Sequence, residues 1–129
     1  MREILFRGKD ILTGEWLYGD LIQSANEEDV KFIVPFTETN MRGIIPETIG
    51  QFTGLCDKNG KKIFEGDIVR CKNYHGTVEG YIGYSKSAVW FLYCISGYSD
   101  EYLFNCADIE VISNVYDNSE LLKGDDKTA

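Results

Sequence analysis

Gln51-Phe52-Thr53-Gly54-Leu55-Cys56-Asp57-Lys58-Asn59-Gly60-Lys61-Lys62-Ile63-Phe64-Glu65-Gly66-Asp67-Ile68-Val69-Arg70-Cys71-Lys72 is the stretch from which the fold class can be read. Asp57-Lys58-Asn59-Gly60 lies between two β-leaning runs, Gln51–Leu55 and Lys62–Phe64. Asn tolerates positive φ and Gly prefers it, so the tetrapeptide predicts a tight hairpin turn, which Asp57 can cap through its own carboxylate. Glu65-Gly66 then bends the chain into Asp67–Lys72. In that run Ile68, Arg70 and Lys72 share one face and Val69 and Cys71 the other, because successive strand residues alternate sides. The Val69 and Cys71 face is expected to point inward.

The same punctuation continues in both directions. Upstream, Glu3–Arg7 and Glu15–Ile22 are β-leaning runs separated by Thr13-Gly14, and Lys31–Phe36 is a further strand candidate after the polar loop Ser24–Asp29. Residues 37–47 are polar and irregular, with Gly43 and Pro46 as breakers, and Thr48–Leu55 resumes an extended segment. Downstream, the turn Tyr74-His75-Gly76 leads into Thr77–Tyr84, where Gly76, Gly80 and Gly83 permit strong curvature. Val89–Ile95 is apolar enough to be a central strand covered on both faces. Asp108–Val115 is a late strand with Ile109, Val111 and Val115 on one face. Asn118 or Ser119 is placed to cap one helical turn, and 123–129 reads as a disordered tail. Strands divided by turns every 8–12 residues predict a mainly β protein with little helix, a small barrel or sandwich. Ile63–Lys72 followed by a Gly-led curved strand is the type of meander that builds a five-stranded SH3-like barrel. Residues 1–122 are expected to form a single β domain.

Composition agrees with this reading. The chain has 129 residues and 14.7 kDa, the size of one ordinary domain. Aromatic residues make up 13 %, which favours strands, and thirteen Gly against two Pro suit many tight turns. A 43 % hydrophobic share excludes wholesale disorder. Net charge is −8, against the basic excess that normally tracks a phosphate backbone. The longest apolar run, Ala88–Ile95, is far shorter than a membrane span, and Ile4-Leu5-Phe6 is too short for a signal-peptide core. A cytoplasmic protein is expected, with no membrane partner. Cys56, Cys71, Cys94 and Cys106 contain no Cys-x-x-Cys pair and have only His75 to assist, so buried free thiols are expected rather than a zinc site or disulfides.

Two segments resemble the YopX family. The first is Pro46–Val69, which contains Gln51-Phe52-Thr53-Gly54-Leu55 and Asp57-Lys58-Asn59-Gly60-Lys61 followed by Ile63-Phe64-Glu65-Gly66-Asp67-Ile68-Val69. It departs mainly at Cys56, where a Lys or another polar residue is common. The second is Ile109–Leu122, with Ser113 and Ser119 where Gly and Pro are frequent. Phe6-Arg7 and the block Trp16-Leu17-Tyr18-Gly19-Asp20-Leu21 fit as well. The family is one of small bacteriophage and prophage proteins, and the resemblance implies an SH3-type β-barrel with extra strands. It carries over no catalytic residue, cofactor or substrate. Its recurrent residues have structural readings: Gly54, Gly60 and Gly66 suit turns, and Leu55, Ile63, Ile68 and Val69 suit a core.

An EF-hand starting at Asp57 needs Gly sixth and Glu twelfth, and those positions are Lys62 and Ile68, so the turn reading prevails. Glu65 and Asp67 flank Gly66 without a helper, and a solvated strand entry outweighs acid–base or Mg²⁺ work. His75 is expected to be an exposed turn histidine. Lys58, Lys61 and Lys62 form the densest basic cluster, with Arg70 and Lys72 on one following strand face and Tyr74 available to stack on a base. These six residues are the candidate binding surface. No catalytic residue, metal or cofactor is expected. The leading expectation is a non-enzymatic phage or prophage accessory module that binds a host or phage protein. A nucleic-acid-binding barrel is second, disfavoured by net charge, and an enzyme is third. Surface aromatics, Tyr74, Tyr81, Tyr98 and Tyr102, also suggest a homo-oligomer.

Overall fold

The computed structural model describes residues 3–26 and 30–118, which fall into two compact units, Met1–Gly54 and Leu55–Ala129. The expected helical turn beyond Asn118 and the tail 123–129 lie outside the described residues.

The first unit is built from β1 (Phe6–Lys9), β2 (Trp16–Gln23), β3 (Lys31–Pro35), β4 (Arg42–Ile44) and the start of β5 (Gly50–Cys56). Antiparallel pairing gives the order β4-β3-β2-β1-β5. Leu17, Ile33 and Ile44 form its buried cluster, with Phe6, Leu21 and Ile49 packed against them. The Thr13-Gly14 turn forms as expected: Gly14 has φ 75° and the Asp10 carboxylate accepts from the Leu12 and Thr13 amides at 2.7 and 3.1 Å. Residues 37–47 are less irregular than the sequence suggests. They contain β4 and lead into a single 3-10 turn, Pro46–Thr48, that Pro46 enters with its φ already fixed. Thr48 Oγ1 donates to the Ile45 carbonyl at 2.6 Å and accepts from the Lys9 amide at 2.9 Å.

The second unit holds the end of β5, then β6 (Lys62–Phe64), β7 (Asp67–Asn73), β8 (Gly76–Tyr84), β9 (Trp90–Cys94), β10 (Glu101–Tyr102), a 3-10 turn Leu103–Asn105 and β11 (Ala107–Asn114). β6 folds back beside β5. The other strands order as β10-β9-β8-β7-β11: four strands follow one another as a meander, and the fifth returns to pair with the first. Ile63, Val69, Cys71, Val78, Ile82, Leu92 and Leu103 make the core, against which Trp90, Ile109 and Val111 pack. Each such fully buried aliphatic side chain contributes about 1.5–3 kcal/mol.

The fold is mainly β with antiparallel sheets. Among the described residues neither sheet closes on itself, so the expected closed barrel is corrected to open sheets. Closure of the second sheet would require β10 to meet β11, and β10 has only two residues. Three smaller expectations are also corrected. Ile68 is as fully buried as Val69, so the alternation along β7 holds only from Val69 to Lys72. The Val89–Ile95 run is not central: β9 lies between β8 and the edge strand β10, and only its Leu92 is fully buried. Leu55, expected in the core, is 45 % exposed.

Candidate functional site

The hairpin at Asp57–Lys61 is the best-organised feature of the second unit. The Asp57 amide donates to the Lys61 carbonyl at 2.7 Å, and Gly60 takes φ 85°. Gly60 alone supplies the positive φ there, so Asn59 is not used as the sequence suggests. Asp57 is buried, and its two carboxylate oxygens have different tasks. Oδ1 accepts from the Asn59 and Lys61 amides, both at 2.9 Å, while Oδ2 accepts from the Val111 amide of β11 at 3.0 Å. One residue on, the Lys58 amide donates to the Ile109 carbonyl at 2.8 Å. Burial alone would push the Asp57 carboxyl up. The amides of Val111, Lys61 and Asn59 outweigh it and hold the group below its ordinary value. Asp67 has a comparable task, accepting from the Phe64 amide at 2.8 Å across the Glu65-Gly66 bend. Asp57 and Asp67 of the recurrent segment are thus both architectural.

The candidate basic surface is divided by this geometry. Lys58, Arg70 and Lys72 line one small recess of about 130 Å³ with Asp108 and Glu110. Arg70 grips Glu79 through Nη2 at 2.7 Å and Nε at 2.9 Å, as their cross-strand register dictates. Lys58 and Arg70 each stand 4.0 Å from Glu110, and Lys72 stands 3.7 Å from Asp108. Three cations therefore face three carboxylates. Lys61 and Lys62 are exposed on the hairpin, outside the recess. Tyr74, 82 % exposed in the β7–β8 turn, packs on His75 at 4.0 Å between ring centroids, and His75 stacks on Tyr98 at 4.9 Å. The turn position expected for His75 is observed.

What the sequence did not show is a chain of rings across the face of the second sheet opposite Leu92 and Ile82. Tyr81 of β8 stacks on Tyr93 of β9 at 5.2 Å, and Tyr93 contacts Phe91 at 5.3 Å. Phe91 meets Tyr102 of β10 edge-on at 5.2 Å, and Tyr102 stacks on Phe104 at 5.0 Å. Strand alternation puts Phe91 and Tyr93 on one side of β9, and cross-strand register sets Tyr102 opposite Phe91 and Tyr81 opposite Tyr93. Gly83 leaves room for the Tyr93 ring, since a Cβ there would lie 2.5 Å from it. Exposure grows along the ladder to 42 % at Tyr102 and 71 % at Phe104. Phe104 is also a wall of a mainly apolar cavity of about 490 Å³, which Leu55, Leu103 and Ile109 share. The i, i+2 spacing of Phe91 and Tyr93 is the signal that could have revealed the ladder.

All four cysteines are free thiols, as expected. Their expected burial is corrected: only Cys71 is fully buried, Cys94 and Cys106 are half-buried against the core, and Cys56 is exposed. The neighbouring Cys106 sulfur, with burial, pushes the Cys71 thiol up, and Cys71 draws Cys106 down. Among the described residues no three His, Cys, Asp or Glu side chains cluster closely enough to hold a metal ion, and no helix is long and apolar enough to cross a membrane.

Compared with known families, residues 5–123 match the model of the YopX protein. No curated protein matches the chain.

Proposed function

We propose that this chain, which belongs to the YopX family, acts as a phage or prophage accessory module that binds another macromolecule and transforms no substrate. The observation that carries this reading is the aromatic ladder Tyr81–Tyr93–Phe91–Tyr102–Phe104, which ends on solvent beside a cavity. Aromatic rings that remain partly exposed supply contact area at low rotameric cost, and for that reason interfaces are enriched in them. The strand order of the second unit, a four-strand meander whose fifth strand returns through a 3-10 turn, supports an SH3-like reading in which loops and one sheet face serve contact. That step from fold to role is analogy.

The nucleic-acid reading draws less support. Lys58, Arg70 and Lys72 are each matched by a carboxylate, so the strip offers little net positive charge to a phosphate backbone. The direct test is affinity capture from phage-infected bacterial cells with the native chain and with a Tyr102→Ala, Phe104→Ala double variant. A partner retained by the native chain and lost with the double variant is expected. An identical set of captured proteins would remove the ladder from the reading.

A further inference from the structure

We infer that the ladder is a docking face for an extended, arginine-bearing segment of a partner protein, an inference that rests on the binding reading above and names its ligand. Charge carries the argument. From Ser87 to Leu122 the sequence has no Lys or Arg, yet it carries Asp100, Glu101, Asp108, Glu110, Asp117 and Glu120. This stretch supplies four of the five rings. Asp108 and Glu110 face the cations of the basic recess, but Asp100 and Glu101, which precede Tyr102, do not. Asp100 accepts from the Cys94 amide at 2.9 Å, and Glu101 from the Tyr102 amide at 3.0 Å and the Asn105 side-chain amide at 2.9 Å. Neither forms an ion pair among the described residues. Glu101 pairs with Leu92, so its side chain leaves β10 on the face opposite the rings and its carboxylate lies at the strand edge, on the Tyr102 amide. The exposed end of the ladder is therefore an aromatic surface whose bordering strand edge carries uncompensated negative charge.

A guanidinium answers both features. It is attracted to the face of a tyrosine or phenylalanine ring and stacks on it as a planar group, and it pairs with carboxylates through a fork of donors. Single-stranded nucleic acid also stacks on ring platforms, but it needs a cationic groove along its backbone, and the ladder strands offer none. The size fits a short segment. Four steps of 5.0–5.3 Å link the five rings, a contour that about six residues of extended chain match at roughly 3.3 Å each.

The test titrates the full chain, by calorimetry at about 150 mM salt to limit plain charge attraction, with four probes: the twelve-residue peptides (Arg-Gly)6, (Lys-Gly)6 and (Glu-Gly)6, and the oligonucleotide dT12. The arginine peptide is expected to bind most tightly, several-fold ahead of the lysine peptide of equal charge. The Tyr102→Ala, Phe104→Ala double variant should weaken it about tenfold, with far-UV circular dichroism unchanged because both side chains are exposed. Phe36→Ala, an exposed ring of the first unit, should leave it within about twofold. Equal binding of the arginine and lysine peptides, or no loss in the double variant, overturns the inference. Ladder-dependent binding of the glutamate peptide or of dT12, or self-association that the double variant abolishes, also overturns it while leaving the ladder as a binding face. If no probe binds while capture from cells remains ladder-dependent, the arginine ligand falls and the binding reading stands.

Discussion

Asp57 uses both carboxylate oxygens, and that division of labour makes it hard to replace. An amide has one acceptor oxygen, so Asp57→Asn must abandon either the turn amides of Asn59 and Lys61 or the Val111 amide. We expect a loss of about 1–3 kcal/mol, the usual cost of stranding buried donors, read as a lower urea midpoint. The pH dependence has a definite sign. The Asp57 carboxyl is held below 3.8 in the folded chain, so the unfolded chain binds its proton first as pH falls. Its contribution is complete above about pH 5 and disappears as pH drops through the folded value. Acid unfolding of Asp57→Asn should therefore be shallower below about pH 4 than that of the native chain. The cysteines can be ranked the same way. Cys56 should alkylate first because it is exposed, and Cys71 last, because the neighbouring Cys106 and burial disfavour its thiolate. Modification of Cys71 in the native state ahead of Cys56 would contradict this placement.

Strands of five or more residues were legible from apolar patterning and turn punctuation: β2, β3, β5, β7, β8, β9 and β11 lie within two residues of where the sequence puts them. Three-residue β4 and two-residue β10 were not, because a period of two cannot be established in so few positions. Ile68 shows a second limit. Alternation assigns a residue to a face, but whether that face is covered depends on elements distant in sequence. The ladder was hidden for a related reason. Phe91 and Tyr93 share a face by spacing alone, but their meeting with Tyr81 and Tyr102 depends on cross-strand register, which is tertiary information. For the basic surface, pairing is the tertiary information: Lys58, Arg70 and Lys72 are cations in sequence and stand against carboxylates in space. At this scale Gly83 offers a test that touches no ring. Gly83→Ala places a Cβ against Tyr93, so the near-UV circular dichroism of the tyrosines should change while the far-UV signal persists. An unchanged near-UV spectrum would mean that Tyr93 does not occupy the space over Gly83.

At the scale of the whole molecule, an acidic chain with a locally neutral basic strip should show no saturable binding to duplex DNA or RNA at about 150 mM salt. Binding lost steeply with added salt in a fluorescence titration would reinstate the nucleic-acid reading. Far-UV circular dichroism should report strand with little helix; a helix content above about one third, the globular average, is incompatible with the observed elements. The open sheets pose a hazard that short edges reduce, since two- and three-residue strands are poor templates for another chain. Eight-residue β11 is the long edge of its sheet, and there the Asp57–Lys58 hairpin occupies the Val111 amide and the Ile109 carbonyl.

That occupation turns one amide into a reporter. A proton on the outward side of an edge strand ordinarily exchanges with solvent almost as fast as in a free peptide, yet the Val111 proton is held by a buried carboxylate. Its deuterium exchange can proceed only when the hairpin lifts from β11, so the measured rate gives the free energy of that local opening, separate from global unfolding. Acidification would hasten the lifting as the carboxylate gains a proton, against the general slowing of amide exchange in acid.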